Sequence, residues 1–177
     1  MSGGEVAAWP DALFDVLVAR DVRQVAYVPD AGHSRLIECC EAHPDMTATV
    51  LTTEEEGVAL LAGAWLGGDR GVLLMQSSGV GNCVNMFTLI ENCRMPLVAL
   101  VTMRGEWGEF NPWQEPMGRA TPDVLARMNL QVHRADTPED AAPMLDAAIR
   151  QSFDGFSASA VLLSQRLIGR KAFEAER

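Results

Sequence analysis

Three consecutive carboxylates, Glu54, Glu55 and Glu56, stand at the start of the small, apolar stretch Gly57-Val58-Ala59-Leu60-Leu61-Ala62-Gly63-Ala64-Trp65. A carboxyl group held against apolar surroundings can keep or trade a proton near neutral pH, which is the chemistry of a general acid or base. Surface helices carry polar residues along their whole outer face, whereas this one turns apolar after a single turn. Its acidic end therefore reads as held against a buried site. A plainer job fits the same residues. Thr52-x-x-Glu55 and Thr53-x-x-Glu56 both match the capping box, in which hydroxyl and glutamate satisfy free amides at a helix start. Acidic residues also suit the positive end of the helix dipole. On local evidence capping is the better reading, and chemistry needs a reason from outside the helix.

Other segments could supply one. Gln76-Ser77-Ser78-Gly79-Val80-Gly81-Asn82 joins an apolar strand to a helix, and glycines there let backbone amides approach a ligand. It is not a P-loop, because no Gly-Lys-Ser/Thr follows, and Val84 stands where a dinucleotide fingerprint has its third glycine. Tight chain reversal explains the segment about as well. The run from Met103 to Arg119 holds Arg104, Trp107, Phe110, Trp113 and Arg119, and structureless loops of that length are uncommon unless functional. We expect a partner-facing or active-site surface there. His33 follows the turn Pro29-Asp30-Ala31-Gly32 and is either a capping-region histidine or an acid/base group. No serine lies in a Gly-x-Ser-x-Gly elbow. His33, His43 and His133 are too scattered for a metal site, and Cys39, Cys40, Cys83 and Cys93 show no Cys-x-x-Cys spacing, so buried, reduced thiols are expected.

The elements that must position these groups alternate regularly. Helical periodicity covers Ala8 to Arg20, Ser34 to Ala42, the Glu-rich segment to about Leu66, Asn82 to Asn92, Thr121 to Met128, and Pro138 to Ser152. Strands are expected at Gln24–Val28, Thr47–Thr52, Gly71–Gln76, Pro96–Thr102, Gln131–Ala135 and Ser159–Leu163. That order predicts an α/β fold: one doubly wound parallel sheet of about six strands with helices on both faces. Residues 1–177 should form a single domain with a loose, charged tail after about Leu167. Ligands of such sheets bind beyond the carboxyl ends of the strands. Pro29–His33, Glu54–Glu56, Ser77–Asn82 and Met103–Ala120 all fall at that edge. This convergence gives the acidic cluster a functional reading beside the capping one.

Composition narrows the partners. A hydrophobic fraction of 48% can fill a core, and no apolar run approaches a membrane span. A net charge of -10 argues against nucleic acid, while a local basic pocket could still take a small anion. Met1-Ser2-Gly3-Gly4-Glu5 lacks the basic start of a signal peptide. A cytoplasmic protein is expected.

Taken together, Val28-Pro29-Asp30, Glu55-Glu56-Gly57-Val58-Ala59 with Ala62-Gly63-Ala64-Trp65, Met75 to Asn82, and Gln114-Glu115-Pro116-Met117-Gly118-Arg119-Ala120-Thr121 resemble the pyrimidine-binding (PYR) domain of thiamine diphosphate enzymes. The resemblance runs from Val6 to about Leu167 and is greatest to the small-subunit type of sulfopyruvate decarboxylase, with phosphonopyruvate decarboxylase similar over the same span. It implies that Glu55, seven residues before Ala62 and so on its helix face, bonds the N1′ atom of the cofactor's aminopyrimidine. It further implies cofactor contacts from Gln76, Gly79, Gly81 and Asn82. The family's Gly-Asp-Gly segment for magnesium and diphosphate is absent, Gly68-Asp69-Arg70 being the nearest approach. The resemblance thus implies thiamine diphosphate and Mg2+ held jointly with a separate diphosphate-binding (PP domain) subunit, in a hetero-oligomer that also self-associates. The implied reaction is decarboxylation of a small anionic 2-oxo acid, sulfopyruvate first and phosphonopyruvate next. Arg104, Arg119 and Gln76 are the candidate substrate contacts, and His33 a candidate catalytic group. A non-catalytic doubly wound binding module is the alternative, in which Glu55 would only cap its helix.

Overall fold

The computed structural model describes residues 9–169. Ala8, expected to open the first helix, and the charged end from residue 170 lie outside the described residues. Six parallel strands form one sheet in the order β2-β1-β3-β4-β6-β5, with β1 Val22–Tyr27, β2 Thr47–Val50, β3 Arg70–Gln76, β4 Leu97–Thr102, β5 Gln131–Ala135 and β6 Ala158–Leu163. The central strands β3, β4 and β6 are the near-continuous apolar runs, which suit burial on both faces. The edge strands β2 and β5 are more polar and partly exposed.

Alternation along each strand divides the core in two. Val72 and Leu74 of β3 face one side, where they pack with Leu13 and Leu17 of α1 (Trp9–Ala19), Leu36 of α2 (Ser34–Ala42) and Leu145 and Ile149 of α7 (Pro138–Gly155). Leu73 and Met75 face the other side, against Val58 and Leu61 of α3 (Glu54–Leu66), Val80 of α4 (Ser77–Cys83), Phe87 of α5 (Phe87–Cys93) and Leu125 of α6 (Glu115–Arg127). Gly68 ends α3 at φ +97, a conformation that glycine adopts without strain.

The structure corrects the expected elements in three places. The glycine-bearing segment after β3 is no loop: Ser77–Cys83 is helix α4, separated by a short break from α5. The stretch expected to be irregular as far as Ala120 is already helical from Glu115, after one turn of 3-10 helix at Pro112–Gln114. Finally, a short helix α8, Gln165–Ile168, follows β6 where no element was expected, with Leu167 and Ile168 packed on the core. The thiols also divide: Cys40 and Cys83 are buried, whereas Cys39 is half-buried and Cys93 exposed.

Helix α6 starts early because it crosses directly over the end of β4. A Cβ on Gly118 would lie 1.9 Å from the Arg104 carbonyl oxygen, and the Thr121 hydroxyl hydrogen-bonds the Ser77 carbonyl at 3.2 Å. Only a residue without a side chain permits this crossing. Gly118→Ala should therefore push α6 off the sheet and cost about 1–3 kcal/mol or more, read as a lowered midpoint in urea or thermal denaturation.

Candidate active site

Strand order reverses direction between β1 and β3, and the crevice beyond such a point is where doubly wound sheets bind ligands. The crevice is held by Asp30, just past β1. Its carboxylate accepts hydrogen bonds from the Thr102 hydroxyl of β4 at 2.7 Å and from the Gln76 amide of β3. Burial pushes the Asp30 carboxyl up, but the bonds from Thr102 and Gln76, His33 nearby and the Gly32 amide together hold it below its usual range. Gln76 in turn accepts from Gln114 Nε2 at 3.5 Å, while Gln114 Oε1 is buried with no partner among the described residues. Asp30, Thr102 and Gln114 were not among the site residues picked from the sequence. The Pro-Asp turn was visible, but the partners that make it a node come from distant strands.

His33 is 1% exposed. Its Nε2 lies 3.2 Å from the Leu100 carbonyl oxygen, and burial lowers its pKa despite Asp30. The buried ring thus anchors the turn, and its Nδ1 is left without a hydrogen-bond partner among the described residues.

The glutamates have separate surroundings. Glu56 folds back so that Oε2 accepts from the Thr52 amide at 2.9 Å. Glu54 is buried and its Oε2 accepts from Asn82 Nδ2 at 2.7 Å. Glu55 is exposed and makes no recorded hydrogen bond or ion pair among the described residues. The expected capping boxes do not form, since Thr53 is the N-cap but makes no side-chain cap bond. By contrast, Thr137 and Asp140 form a complete box at the start of α7.

The glycines after β3 also meet needs of the fold itself. A Cβ on Gly79 would meet Glu54 Oε1 at 2.4 Å, and one on Gly81 would meet Met117 Sδ at 3.4 Å. Gly79 is thus needed by α3 itself, and Asn82 spends an amide hydrogen on Glu54. Gly81 lies exposed at the edge beside α6.

The segment after β4 is pinned. Arg104 is buried and binds Glu109 twice, Nε at 2.8 Å and Nη2 at 2.7 Å. Those bonds hold Glu109 down to about 2 despite burial, with help from the Asn111 and Gly105 amides. Gln165 of α8 accepts from the Glu106 and Trp107 amides, both at 2.9 Å, and donates to Glu109 at 3.0 Å. Arg134 grips Glu106 at 2.7 and 3.0 Å. Trp113 is left 88% exposed, with Trp107 and Phe110 partly so. Arg119 is exposed and pairs with Glu115 one turn before it at 3.7 Å, a contact worth little in water.

Comparison with known proteins bears directly on this edge. The profile of the family "Thiamine pyrophosphate enzyme, N-terminal TPP binding domain" matches residues 9–117, more than half of the chain. The chain belongs to this thiamine pyrophosphate enzyme family. Among its relatives is sulfopyruvate decarboxylase subunit alpha of Methanothermobacter thermautotrophicus, 35% identical over 137 residues, covering 77% of this chain and 83% of that one. The same-named subunit of Methanococcus maripaludis is 29% identical over 154 residues, covering 86% and 92%. Phosphonopyruvate decarboxylase of Streptomyces viridochromogenes is 36% identical over 138 residues, which is 77% of this chain but 35% of that protein. In fold, the chain is similar to a 2-oxoglutarate:ferredoxin oxidoreductase from Magnetococcus marinus, with TM-score 0.71 and 12% identity over 96% of this chain and 34% of that one.

The donor set suits one half of the family's cofactor. An exposed carboxylate such as Glu55, with no recorded partner among the described residues, has the chemistry to share a proton with a ring nitrogen of an aminopyrimidine. Among the described residues no group of three or more His, Cys, Asp or Glu side chains is placed to hold a metal ion.

The buried Arg104–Glu109 pair carries a pH signature. A carboxylate with a lowered folded-state pKa contributes stability that is present above its ordinary value of 4.5 and is lost as pH falls toward about 2. Glu109→Gln should cost about 3 kcal/mol at neutral pH by stranding Arg104. It should also flatten the loss of stability between pH 4.5 and 2, and admit protease cleavage within 103–114. Denaturation at several pH values and limited proteolysis measure this.

Proposed function

We propose that this chain is the pyrimidine-side subunit of a decarboxylase that converts sulfopyruvate to sulfoacetaldehyde and carbon dioxide, working only with a separate diphosphate-binding subunit. The coarser statement stands on the family and the named relatives: the chain is a subunit of a thiamine-diphosphate-dependent decarboxylase. Substrate, partner dependence and residue roles are the proposed part.

One observation carries it. Of three adjacent carboxylates at the ligand edge, only Glu55 is exposed without a recorded partner, while Glu54 and Glu56 are committed within the fold. The binding-module alternative needs Glu55 as a cap, yet the capping contact at this helix start is made by Glu56.

Thiamine diphosphate, when bound, supplies the electron sink for loss of carbon dioxide from a 2-oxo acid. Glu55 would hold the proton at the pyrimidine N1′ position. Gln76, held by Asp30 and by Gln114, would supply a polar contact at the same edge. The guanidinium N–H groups of Arg104 beyond those given to Glu109 suit a sulfonate. Because Glu109 fixes that guanidinium, little rotamer entropy is lost on binding. Arg119 is the second candidate, free to move at the surface. A phosphonate meets the same donors, so phosphonopyruvate is the second substrate reading. Gly79, Gly81 and Asn82 shape the pocket wall, and Mg2+ belongs to the partner.

An exposed catalytic carboxylate also supports an interfacial site, since a proton-sharing carboxyl needs water excluded. The exposed Trp113 and Trp107 at the same edge suit burial by another chain. Self-association within the hetero-oligomer and a cytoplasmic location, to which four free cysteines are suited, complete the proposal.

In the reconstituted complex, Glu55→Gln should lower turnover of sulfopyruvate by about 100-fold or more with an unchanged melting temperature; near-normal turnover removes the assignment. This chain alone should show no thiamine-dependent carbon dioxide release, and robust release without a partner rejects the half-site reading.

A further inference from the structure

The amino end of the sheet, opposite the crevice, holds a cavity that the proposed reaction does not use. It has a volume of about 200 Å3 and lies where α5, α6 and α7 end and β4 and β6 begin. Its wall is apolar, from Ile90, Met95, Met128 and Phe156, and its rim carries Glu91 and Arg94. We infer that this is a binding site for a free α-amino acid with an apolar side chain of about leucine size. The inference does not depend on the reading of Glu55. The 6 residues of β4 separate the cavity from the crevice, about 20 Å at the rise of a strand.

The backbone is strained where it builds this wall. Arg94, Asn129 and Phe156 all line the cavity, and all have left-handed backbones, with φ of 52, 63 and 52. Each follows the end of a helix, where glycine adopts that conformation without strain. Asparagine tolerates it, but arginine and phenylalanine bring Cβ against a carbonyl oxygen. Strained backbone of this kind gathers at ligand clamps and active sites. Phe156 is also 57% exposed, so its ring is not kept for burial within the fold. The ring stands edge-on to Trp65, with centroids 6.0 Å apart, which steadies it beside the cavity.

The rim selects the head group. Arg94 makes no recorded side-chain hydrogen bond or ion pair among the described residues, so its guanidinium is available to a carboxylate. Glu91 stands on the same rim, yet the two form no recorded ion pair. Asn129 Nδ2 donates to Glu91 Oε2 at 2.9 Å, which holds that carboxylate in place and leaves Oε1 for a ligand. One cation and one anion match the carboxylate and ammonium of an amino acid, each through a charge-assisted hydrogen bond. A simple carboxylic acid would set its charge against Glu91, and a simple amine would set its charge against Arg94. The size agrees. An apolar cavity of about 150 Å3 takes benzene, so about 200 Å3 accommodates an isobutyl group, with Met95 and Met128 as adaptable walls. Both rim charges are exposed and water weakens such contacts, which sets the expected affinity in the millimolar range.

The test titrates the full chain with L-leucine, glycine, 4-methylpentanoate and 3-methylbutylamine, following backbone amide NMR signals. L-leucine should shift the signals of 90–95, 128–130 and 156–158 saturably, with a midpoint in the millimolar range or below. Glycine lacks the apolar body, 4-methylpentanoate the ammonium and 3-methylbutylamine the carboxylate, and each should bind at least about tenfold more weakly. Arg94→Gln and Glu91→Gln should each weaken L-leucine about tenfold, with an unchanged melting temperature. Phe156→Gly separates binding from folding. Relief of the left-handed strain should keep its melting temperature at or above wild type, while L-leucine binding falls about tenfold. If Phe156→Gly does not fold, the two Gln variants and the analogues carry the same comparison. No saturable shift with L-leucine, equal binding by wild type and Arg94→Gln, or 4-methylpentanoate binding as tightly as L-leucine would each overturn the site. Sedimentation of the same chain addresses the other occupant. Self-association that Phe156→Gly abolishes, with no binding of L-leucine, would make this face a contact between copies and overturn the proposal.

Discussion

The carboxylate of Asp30 joins the carboxyl ends of three neighbouring strands. It leaves β1, accepts from Thr102 of β4 and Gln76 of β3, and sits where the strand order reverses. A buried carboxylate is tolerated only when its oxygens are satisfied, so the three strand ends are held in one arrangement. Gly32 beside it has no room for a Cβ, which would lie 2.7 Å from Thr102 Cγ2. Gln76 passes the constraint on to Gln114 at the foot of α6. The floor of the crevice is thus preorganised before any ligand arrives, which is how a fold reduces the reorganisation left to a reaction.

Around that floor, charged groups are either spent inside the protein or left over for function. Arg104 and Glu109 bind each other, Arg134 binds Glu106, and Glu54 takes the amide of Asn82. Gln165 latches the segment after β4 through amides of its own loop. A stretch expected to be irregular is a knuckle pinned by these bonds, with its tryptophans outward. A surface already held by its own hydrogen bonds has less ordering cost to meet on binding.

Much of this was legible from the residue pattern. Near-continuous apolar runs marked β3, β4 and β6, and regular alternation with helical periods gave a parallel doubly wound sheet. Positions at the carboxyl edge followed from that topology alone. The glycines of Ser77–Cys83 misled because glycine signals both a turn and a close approach, and here the neighbour demanding space is Glu54 across the interior. Pro116 and Gly118 likewise read as loop residues, whereas Pro116 opens α6 and Gly118 lets it cross Arg104. The burial of His33 against β4 could not be read from its own segment either.

The sequence by itself determined the fold class, the edge at which chemistry would sit and the family resemblance, because periodicity and chain order are local properties. The choice of Glu55 among three carboxylates rests on that resemblance and is part of the proposal. Only the tertiary structure decided that Glu56 reaches back to the Thr52 amide, that Glu54 turns inward to Asn82, and that Glu55 stays at the surface. Successive residues of a helix point about 100° apart. Their partners are set by whichever distant strand or helix lies in each direction, and no local pattern records that.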